Sequence, residues 1–328
     1  MLFRSVVWGI IGCGDVTERK SGPAFARVEG SRLAAVMRRD GDKAADYARR
    51  HGVPRAYDRV DALLDDPEVN AVYVATPTNT HLPLTLRVLA SGRPVLVEKP
   101  MAMDGAEAAR MVEAAERAGL PLFVAYYARA LPRFEALRSL VQGGTLGDVR
   151  AVTMRQLRPG HYAPGQAWKL DPAINGGGLF VDIQVHTLDW LDHCFGPPAD
   201  VMGLVRKLGR GPSEDLVAYT LGWDTGMVAN GLYCFGAGPE DEWVAIHGGA
   251  GTATMSFFKD DGITLTFNDG RTERRAHPDP RHVHEPLIAR VVDQLRGGRP
   301  APSWGVDAAR TTDLIDRLYA HYRAAEAS

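Results

Sequence analysis

Cysteine is scarce in this chain of 328 residues, and the three that occur form no recognisable pair. Cys13, Cys194 and Cys234 are far apart in sequence, and none belongs to a Cys-x-x-Cys motif. Disulfide frameworks and zinc sites are built from several cysteines at short, regular spacing. The sequence therefore predicts reduced thiols, with neither a disulfide framework nor a zinc site.

A large excess of charge and long apolar runs are also missing. Lysine and arginine number 38 and aspartate and glutamate 40, so the formal net charge is -2. This balance provides no general attraction to nucleic acid or to an anionic membrane. No apolar run approaches the roughly 20 residues that span a bilayer, and the N-terminus lacks a signal-peptide cleavage pattern. We therefore expect a cytoplasmic protein that binds a small molecule, with no nucleic-acid or membrane partner.

The order of the predicted elements indicates two domains. Strand-like and helix-like segments alternate up to residue 125, and mostly strand-like segments follow from residue 148. Alternation is typical of a parallel sheet with helices on both faces, whereas many short strands with little helix between them predict an antiparallel sheet. The predicted fold class is α/β plus α+β: a doubly wound nucleotide-binding domain at 1–125 and a mostly antiparallel α+β substrate domain at 126–328.

A glycine turn near the N-terminus predicts a dinucleotide site. A β-branched run over 6–11 leads into Gly12-Cys13-Gly14, and an amphipathic segment continues to residue 28. Glycine lets the backbone bend tightly and lets a pyrophosphate approach the amides at a helix start. Thr17 stands where the third small residue of such a motif is usual, and a tight turn without a ligand is the alternative. The predicted cofactor contacts here are Gly12, Gly14, Asp15 and Val16.

The end of the next predicted strand, 32–37, indicates which nicotinamide cofactor is bound. Arg38 is the first residue after the strand, and Arg39 and Asp40 follow. Arginine suits the 2′-phosphate of NADP through charge and bidentate hydrogen bonds, whereas an acid would bind the 2′-hydroxyl of NAD. The order favours NADP, with NAD as the alternative if both arginines are solvated and Asp40 binds the ribose.

The loop after the predicted strand 71–75 contains polar residues at the same edge of the sheet. Loops at this edge line the cofactor cleft of doubly wound folds, so the loop is predicted to contact nicotinamide ribose or phosphate. Capping of the following helix by Asn79 or Thr80 is an equally good explanation. The predicted cofactor contacts are Thr76, Pro77, Asn79 and His81.

An apolar run beginning at Pro94 ends abruptly in Glu98-Lys99-Pro100. Rigid backbone would hold Lys99 at the carboxyl end of a buried strand, where cofactor and substrate could meet. An ammonium there can stabilise the alkoxide that forms when a ketone accepts hydride. The alternative is a solvated lysine that closes a strand. Glu98 and Lys99 are also predicted to contact the cofactor.

One helical segment stands out in the second half of the chain. Three glycines, 176–178, precede it, and Asp182 and His186 lie four residues apart, on one face of a helix. Histidine exchanges protons near neutral pH, and a carboxylate on the same face can orient its ring. A buried histidine satisfied by local hydrogen bonds is the alternative.

Aromatic and polar residues elsewhere could form a substrate pocket, because the C–H faces of a sugar stack on aromatic rings. Core packing is an equally good explanation for Trp168. His282 and His284 could share a face if they lie on a strand, but no third ligand is suggested, so no metal site is predicted. The candidate substrate residues are Tyr126, Tyr127, Arg129, His161, Tyr162, Trp168 and Lys169.

In this order, the motifs resemble the family of glucose-fructose oxidoreductases, inositol dehydrogenases and MocA-type proteins. The matching segments are Gly9 to Gly14, Ala75 to His81, Glu98 to Pro100, Trp168 to Pro172, and the triglycine segment with Asp182 and His186. The resemblance spans nearly the whole chain. It implies a Rossmann domain with Gly12 and Gly14 at an NAD(P) cofactor. It also implies Lys99 and His186 as a catalytic pair with Asp182 as companion, and a homodimer or homotetramer formed through the open face of the C-terminal sheet.

These predictions combine into one hypothesis, reversible hydride transfer between nicotinamide C4 and a hydroxyl- or carbonyl-bearing carbon of a sugar, polyol or related small molecule. His186 would take the hydroxyl proton, Asp182 would orient the imidazole, and Lys99 would stabilise the substrate oxygen. One alternative is the same chemistry on a non-carbohydrate such as a cyclic dihydrodiol. The other is a regulatory protein that binds the dinucleotide without turnover, although such a protein needs no proton relay.

Overall fold

A computed structural model of the protein describes residues 3–159, 167–209 and 211–326. The strands in these ranges are β1 (Val6–Ile11), β2 (Ser31–Met37), β3 (Arg55–Tyr57), β4 (Ala71–Val74), β5 (Val95–Val97), β6 (Leu122–Val124), β7 (Val149–Arg158), β8 (Asp200–Arg206), β9 (Leu216–Gly222), β10 (Val228–Phe235), β11 (Asp241–Gly248), β12 (Gly251–Met255), β13 (Ile263–Phe267) and β14 (Thr272–Arg275). The α-helices are α1 (Asp15–Arg19), α2 (Gly22–Arg27), α3 (Gly41–His51), α4 (Val60–Leu64), α5 (His81–Ala90), α6 (Gly105–Ala118), α7 (Pro132–Gln142), α8 (Pro172–Asn175), α9 (Val185–Phe195), α10 (Glu285–Leu295) and α11 (Gly305–Glu326). A π-helical segment, Phe180–Gln184, leads into α9.

The chain forms two compact units. The first comprises Met1–Leu131 and Pro280–Ala309, and the second comprises Pro132–Asp279 and Arg310–Ser328. This division differs from the predicted boundary after residue 125, mainly because residues 280–309 return to the first unit. The physical reason is the apolar face of α10, where Leu287 and Val291 join the buried cluster that contains Trp8 and Phe25.

The sheet of the first unit is fully parallel, in the order β3-β2-β1-β4-β5-β6. This confirms the doubly wound nucleotide-binding fold, in which ligands bind at the carboxyl ends of the strands. The sequence pattern did not indicate β3, because its three residues are only half-buried and two of them are polar. It pairs in parallel with the end of β2.

The amphipathic segment after the glycine turn is broken, contrary to the expectation of one helix to residue 28. It forms α1 and α2, which are separated at Ser21. Gly22 lies so close to the preceding turn that a Cβ would stand 2.2 Å from both the Thr17 carbonyl oxygen and the Tyr47 hydroxyl. Pro23 then occupies the start of α2, where its missing amide hydrogen does no harm.

The second unit contains an eight-stranded sheet in the order β14-β13-β12-β11-β7-β10-β9-β8. Its pairs are antiparallel except for β7 and β10, which confirms the mostly antiparallel sheet. Of the strands described in this sheet, β14 is the one that the sequence pattern did not indicate, because Thr272–Arg275 has no apolar residue.

One face of this sheet is covered and the other is open. Tyr219 and Tyr233 are buried on the covered face, where Phe180 packs against both. On the open face, large apolar side chains of β8 and β10 are exposed: Met202, Leu204, Val228 and Leu232. In the described part of the chain, no helix combines the length and the apolar character needed to cross a bilayer.

Candidate active site

The glycine turn after β1 has the backbone geometry that the sequence predicted. Gly12 has a φ of 95°, and a Cβ there would stand 2.6 Å from the Ala75 carbonyl oxygen, so only glycine fits. A Cβ at Gly14 would meet nothing within 4 Å, which leaves open space before α1. Asp15 is exposed and Val16 half-buried. The turn therefore fits a pyrophosphate, whose negative charge favours backbone amides at a helix start.

Thr17, the departure from the usual glycine motif, fits the turn through hydrogen bonds of its own. Its buried hydroxyl donates to the Gly14 carbonyl oxygen at 2.8 Å, and its carbonyl oxygen accepts from the Tyr47 hydroxyl at 2.9 Å. A threonine at this position thus closes the first turn of α1 and ties it to α3.

Arg38 lies against the glycine turn, because its Nη1 donates to the Cys13 carbonyl oxygen at 3.2 Å. Arg39 is exposed. Asp40, the alternative partner for the ribose, caps α3 by accepting from the Lys43 amide at 3.1 Å, and its Oδ2 lies 2.8 Å from the Lys43 ammonium. These contacts with Lys43 lower the pKa of Asp40. The side chain of Asp40 is therefore engaged in its own helix.

His81 connects the loop after β4 to the loop after β5. Its buried ring places Nε2 2.8 Å from the Thr76 carbonyl oxygen and Nδ1 2.9 Å from the Pro100 carbonyl oxygen. Burial lowers the pKa of His81, against the opposing effect of these two carbonyls. The hydroxyl of Thr80 donates to the Pro77 carbonyl oxygen at 2.7 Å and makes no capping bond to α5. His81 therefore supports the two loops, while Thr76 and Pro77 remain half-buried and Asn79 is exposed.

Lys99 is half-buried just beyond the carboxyl end of β5. The buried carboxylate of Glu98 accepts hydrogen bonds from the Tyr73 hydroxyl and, at 3.2 Å, from the Lys99 amide. Burial, followed by the charge of Glu98, raises the pKa of Tyr73 well above its ordinary value, so Tyr73 remains a donor. Glu98, predicted to contact the cofactor, thus has a carboxylate that is engaged by the protein beside Lys99.

His284 is a member of this cluster that the sequence did not indicate. It lies at the N-terminus of α10, with Nε2 3.5 Å from Glu98 Oε1 and its ring edge-on to Tyr127 at a centroid distance of 4.9 Å. Burial lowers the pKa of His284 to about 4, although Glu98 acts in the opposite direction, so the ring is neutral at neutral pH. Residues 282–284 form a bend and a turn, so the condition that His282 and His284 lie on a strand is not met. His282 Nδ1 lies 2.8 Å from the Arg19 carbonyl oxygen.

Tyr126 and Arg129, two of the predicted substrate residues, are buried in the first unit. Arg129 donates to the Pro302 carbonyl oxygen at 2.9 Å, and its Nη1 lies 4.0 Å from the Asp307 carboxylate. Its guanidinium carbon is 6.0 Å from the centre of the Tyr126 ring. These contacts attach the segment after β6 to the segment that leads into α11.

The second unit holds the other predicted catalytic residues on an irregular helix. Asp182 lies in the π-helical segment and His186 in the first turn of α9, and both are buried. Lys169 donates from Nζ to Asp182 Oδ2 at 3.2 Å, and the same Nζ lies 5.8 Å from the ring centre of Trp168, which is 37% exposed. The structure thus brings Asp182, Lys169 and Trp168 together, and a π-helical turn is a common feature of functional sites.

Asp189, one further turn along α9, makes a contact that joins α9 to α11. It is fully buried and accepts from the Thr311 hydroxyl at 3.2 Å. His161 and Tyr162, which were also considered for the substrate pocket, lie outside the described residues. In 3–159, 167–209 and 211–326, no group of three or more His, Cys, Asp or Glu side chains could hold a metal ion.

A fully parallel sheet with a glycine turn at its carboxyl edge defines the first unit as a dinucleotide-binding domain. A family model described as an oxidoreductase family with an NAD-binding Rossmann fold matches residues 6–126, and the C-terminal domain model of the same family matches residues 134–254. The chain belongs to this GFO/IDH/MocA family of NAD(P)-binding oxidoreductases, which confirms the resemblance found in the motifs.

Several relatives match this chain along nearly its whole length. Oxidoreductase P35 of Formosa agariphila is 35% identical over 313 residues, which cover 94% of this chain and 97% of that protein. The 1,5-anhydro-D-fructose reductase of Ensifer adhaerens is 28% identical over 329 residues, or 97% and 98% of the two chains. The crystal structure of aldose-aldose oxidoreductase from Caulobacter crescentus, complexed with glycerol, has a TM-score of 0.88 at 27% identity and covers 98% of each chain.

Proposed function

We propose that this oxidoreductase transfers hydride reversibly between a nicotinamide cofactor, NADP(H) in preference to NAD(H), and a hydroxyl- or carbonyl-bearing carbon of a sugar, polyol or related small molecule. The observation that carries the proposal is the position of Lys99, which lies just beyond the carboxyl end of β5 in the same unit as the glycine turn. The names of the anhydrofructose reductase and of the aldose-aldose oxidoreductase support a sugar-like substrate.

Each of the three predicted catalytic side chains has a defined role in this reaction. When bound, the nicotinamide supplies the hydride acceptor or donor. In the oxidative direction, His186 takes the hydroxyl proton, and the carboxylate of Asp182 holds the imidazole in one orientation. Lys99 stabilises the negative charge that develops on a substrate oxygen as hydride is transferred, a contribution of several kcal/mol in a dry site.

The preference for NADP rests on Arg38. Its guanidinium is held against the glycine turn through the Cys13 carbonyl, at the end of β2 where the adenosine ribose lies in this fold. Asp40 is engaged by Lys43 and is a poor partner for a ribose hydroxyl. Arg38, the first residue after β2, supplies a positive charge for a 2′-phosphate. Asp40, the third, is already bound to Lys43, and both features favour NADP.

The open face of the second sheet supports a homo-oligomer, either a dimer or a tetramer. Register places Leu232 of β10, Ala218 of β9 and Leu204 of β8 in one row across three strands. Leu232 is 42% exposed and Leu204 48% exposed. A second copy of the chain would remove such an apolar face from water.

The catalytic proposal predicts a large loss of turnover in Lys99→Met. Methionine keeps most of the length of the side chain and removes its charge, so the developing alkoxide loses its electrostatic partner. We expect kcat to fall by about a few hundredfold or more, with cofactor affinity nearly unchanged, because the interaction is made mainly in the transition state. Turnover is followed as absorbance of the reduced cofactor against a panel of polyols, ketoses, dicarbonyls and a cyclic dihydrodiol.

Lys259→Met provides the matched control for this test. Lys259 carries the same side chain in an exposed position of the second unit, where its Nζ lies 3.7 Å from Glu240. Its replacement should leave turnover unchanged. Near-normal turnover by Lys99→Met would reject the catalytic role, and an unmodified protein that binds NADPH but turns over no member of the panel would favour a regulatory protein.

A further inference from the structure

Glu214 is a buried carboxylate in the second unit that no motif of the sequence singles out. It lies just before β9, and both of its oxygens accept from the Gly178 amide, at 2.7 Å and 2.9 Å. Oε1 also accepts from the Tyr319 hydroxyl of α11 at 2.8 Å. Burial raises the pKa of Glu214, against these hydrogen bonds, so a carboxylate at this position is costly for the fold.

The amide that Glu214 binds belongs to the turn from which the Asp182 segment starts. Gly178 ends the triglycine turn, and its carbonyl oxygen accepts from the Asp182 amide at 3.1 Å. A single residue, Gly178, therefore links the Glu214 carboxylate, through its N–H, to the backbone hydrogen bond of Asp182, through its C=O. A Cβ at Gly178 would stand 2.8 Å from Glu214 Oε1 and 2.5 Å from the Ser213 hydroxyl, so glycine is needed for this close approach.

Helix α11 braces the other side of the same turn. Tyr319 donates to Glu214, and Arg323 donates to the Gly176 carbonyl oxygen at 3.4 Å while its guanidinium lies over the Tyr319 ring. Tyr319 also packs against Phe180 at a centroid distance of 6.0 Å. The π-helical segment is thus held at its start by a carboxylate, a phenol and a guanidinium that come from two other parts of the second unit.

We infer that Glu214 is a positioning residue for the hydride-transfer reaction. The Gly178 N–H is shared between the two oxygens of Glu214, and this bond fixes the backbone that carries Asp182. Through Asp182, it also sets the orientation of His186. The inference rests on the proposed function for its catalytic meaning, and on contacts within one unit for its geometry. A single N–H shared between two acceptor oxygens needs a carboxylate, since a carboxamide would turn its own N–H groups toward the same amide.

Two substitutions separate the effect of the hydrogen bond to the Gly178 amide from the effect of the charge of Glu214. Glu214→Gln keeps the size and loses the second acceptor and the charge. Glu214→Asp keeps the charge but withdraws the carboxylate by one methylene from the Gly178 amide. Glu242 provides the matched control, because its Oε1 accepts from the Phe257 amide at 2.8 Å in another turn of the same unit. Glu242→Gln and Glu242→Asp perturb a turn-holding hydrogen bond whose amide lies outside residues 176–186.

The primary measurement is the titration of the His186 imidazole by NMR, assigned with His186→Asn, because it reports positioning whether or not a substrate is known. We expect both Glu214 variants to move the midpoint by about half a pH unit or more, since a displaced carboxylate interacts differently with the imidazolium. Both Glu242 variants should leave it in place. A midpoint that is unchanged in Glu214→Asp would overturn the inference, and so would an equal shift in the Glu242 variants.

Kinetics on any substrate found in the panel provide the second measurement. Both Glu214 variants should lower kcat by about tenfold or more with KM for the cofactor unchanged, and thermal unfolding should show that Glu214→Gln remains folded. Unchanged kcat in both variants would overturn the inference. Absence of turnover in the unmodified protein would instead reject the proposed function, and the NMR titration would still decide the positioning role of Glu214.

Discussion

Glu98, a single residue at the end of β5, holds the backbone from which Lys99 projects. The position of Lys99, just beyond the carboxyl end of β5, could be predicted from sequence. An apolar run that ends abruptly in a charged residue indicates the end of a buried strand. The partners of Glu98 could not be predicted, since Tyr73 looks like one more apolar strand residue and His284 is 186 positions away in the chain. Contacts between residues distant in sequence depend on packing, which a local pattern does not contain.

At the same scale, Arg38 carries the testable part of the cofactor assignment. In Arg38→Asp, a negative charge would face the 2′-phosphate of NADP and could accept from the 2′-hydroxyl of NAD. We expect the ratio of kcat/KM for NADP to that for NAD to fall by about tenfold or more, which corresponds to about 1.4 kcal/mol. The ratio is measured with one substrate at fixed ionic strength, because screening weakens charge interactions.

Arg117→Asp is the control for this change of charge. Arg117 lies in the last turn of α6, which leads into β6 and is therefore at the amino edge of the sheet, away from the glycine turn. Its replacement should leave the cofactor ratio unchanged. If Arg38→Asp leaves the ratio unchanged as well, the assignment of Arg38 to the ribose phosphate is wrong.

Among the elements, those with strong periodicity or a clear apolar run were predictable, and the irregular ones were not. Strand β3 and strand β14 are short and polar, so they carry no period-two pattern. At the break between α1 and α2, Gly22 closely approaches Tyr47, a residue of α3 that is distant in sequence. The π-helical turn that carries Asp182 has no sequence signature of its own, and the three glycines before it did not predict it.

The turn between β1 and α1 provides a prediction at this scale. In Gly12→Ala, the methyl group would meet the Ala75 carbonyl oxygen at 2.6 Å and the residue would keep a φ of 95°. The turn must shift, so the amides that are proposed to bind pyrophosphate move with it. We expect dinucleotide affinity to fall by about tenfold or more, measured by calorimetry or by quenching of tryptophan fluorescence.

Gly52→Ala isolates the effect of backbone strain. Gly52 ends α3 with a φ of 66°, but a Cβ there would meet nothing within 4 Å. Its replacement should lower the free energy of unfolding by about 1 kcal/mol, as left-handed backbone does for a residue with a side chain, with dinucleotide affinity unchanged. Equal affinities for Gly12→Ala and the unmodified protein would contradict the role of this turn.

Across the whole molecule, fold class followed from the order of elements, because alternation and its end near residue 125 are properties of the entire pattern. The association of 280–309 with the first unit could not be predicted, since an amphipathic helix such as α10 is compatible with either core. The open sheet face is also a property of this scale. The resemblance to a family suggested it, and the structure gives the row of exposed residues that a test requires.

Leu232→Glu tests the proposed oligomer. A carboxylate in the middle of the exposed row would have to be buried by any partner that covers it, and this is strongly unfavourable. We expect light scattering at several protein concentrations to show a dimer or tetramer for the unmodified protein and a smaller species for the variant. Val306→Glu makes the same kind of change at an exposed apolar residue of the first unit, 52% exposed, and should leave the mass unchanged.

A monomeric mass for the unmodified protein would contradict the oligomer directly. An identical oligomer in Leu232→Glu would place the interface on another surface.

The return of residues 280–309 to the first unit makes the connectivity of this protein discontinuous, with chain crossovers after Leu131, Asp279 and Ala309. A truncated gene that stops anywhere between the first two crossovers would encode a nucleotide-binding half without α10, and so without part of its own core. Chimaeras with related enzymes meet the same constraint: an exchange of cofactor specificity has to transplant 280–309 together with the N-terminal segment, as one discontinuous cassette.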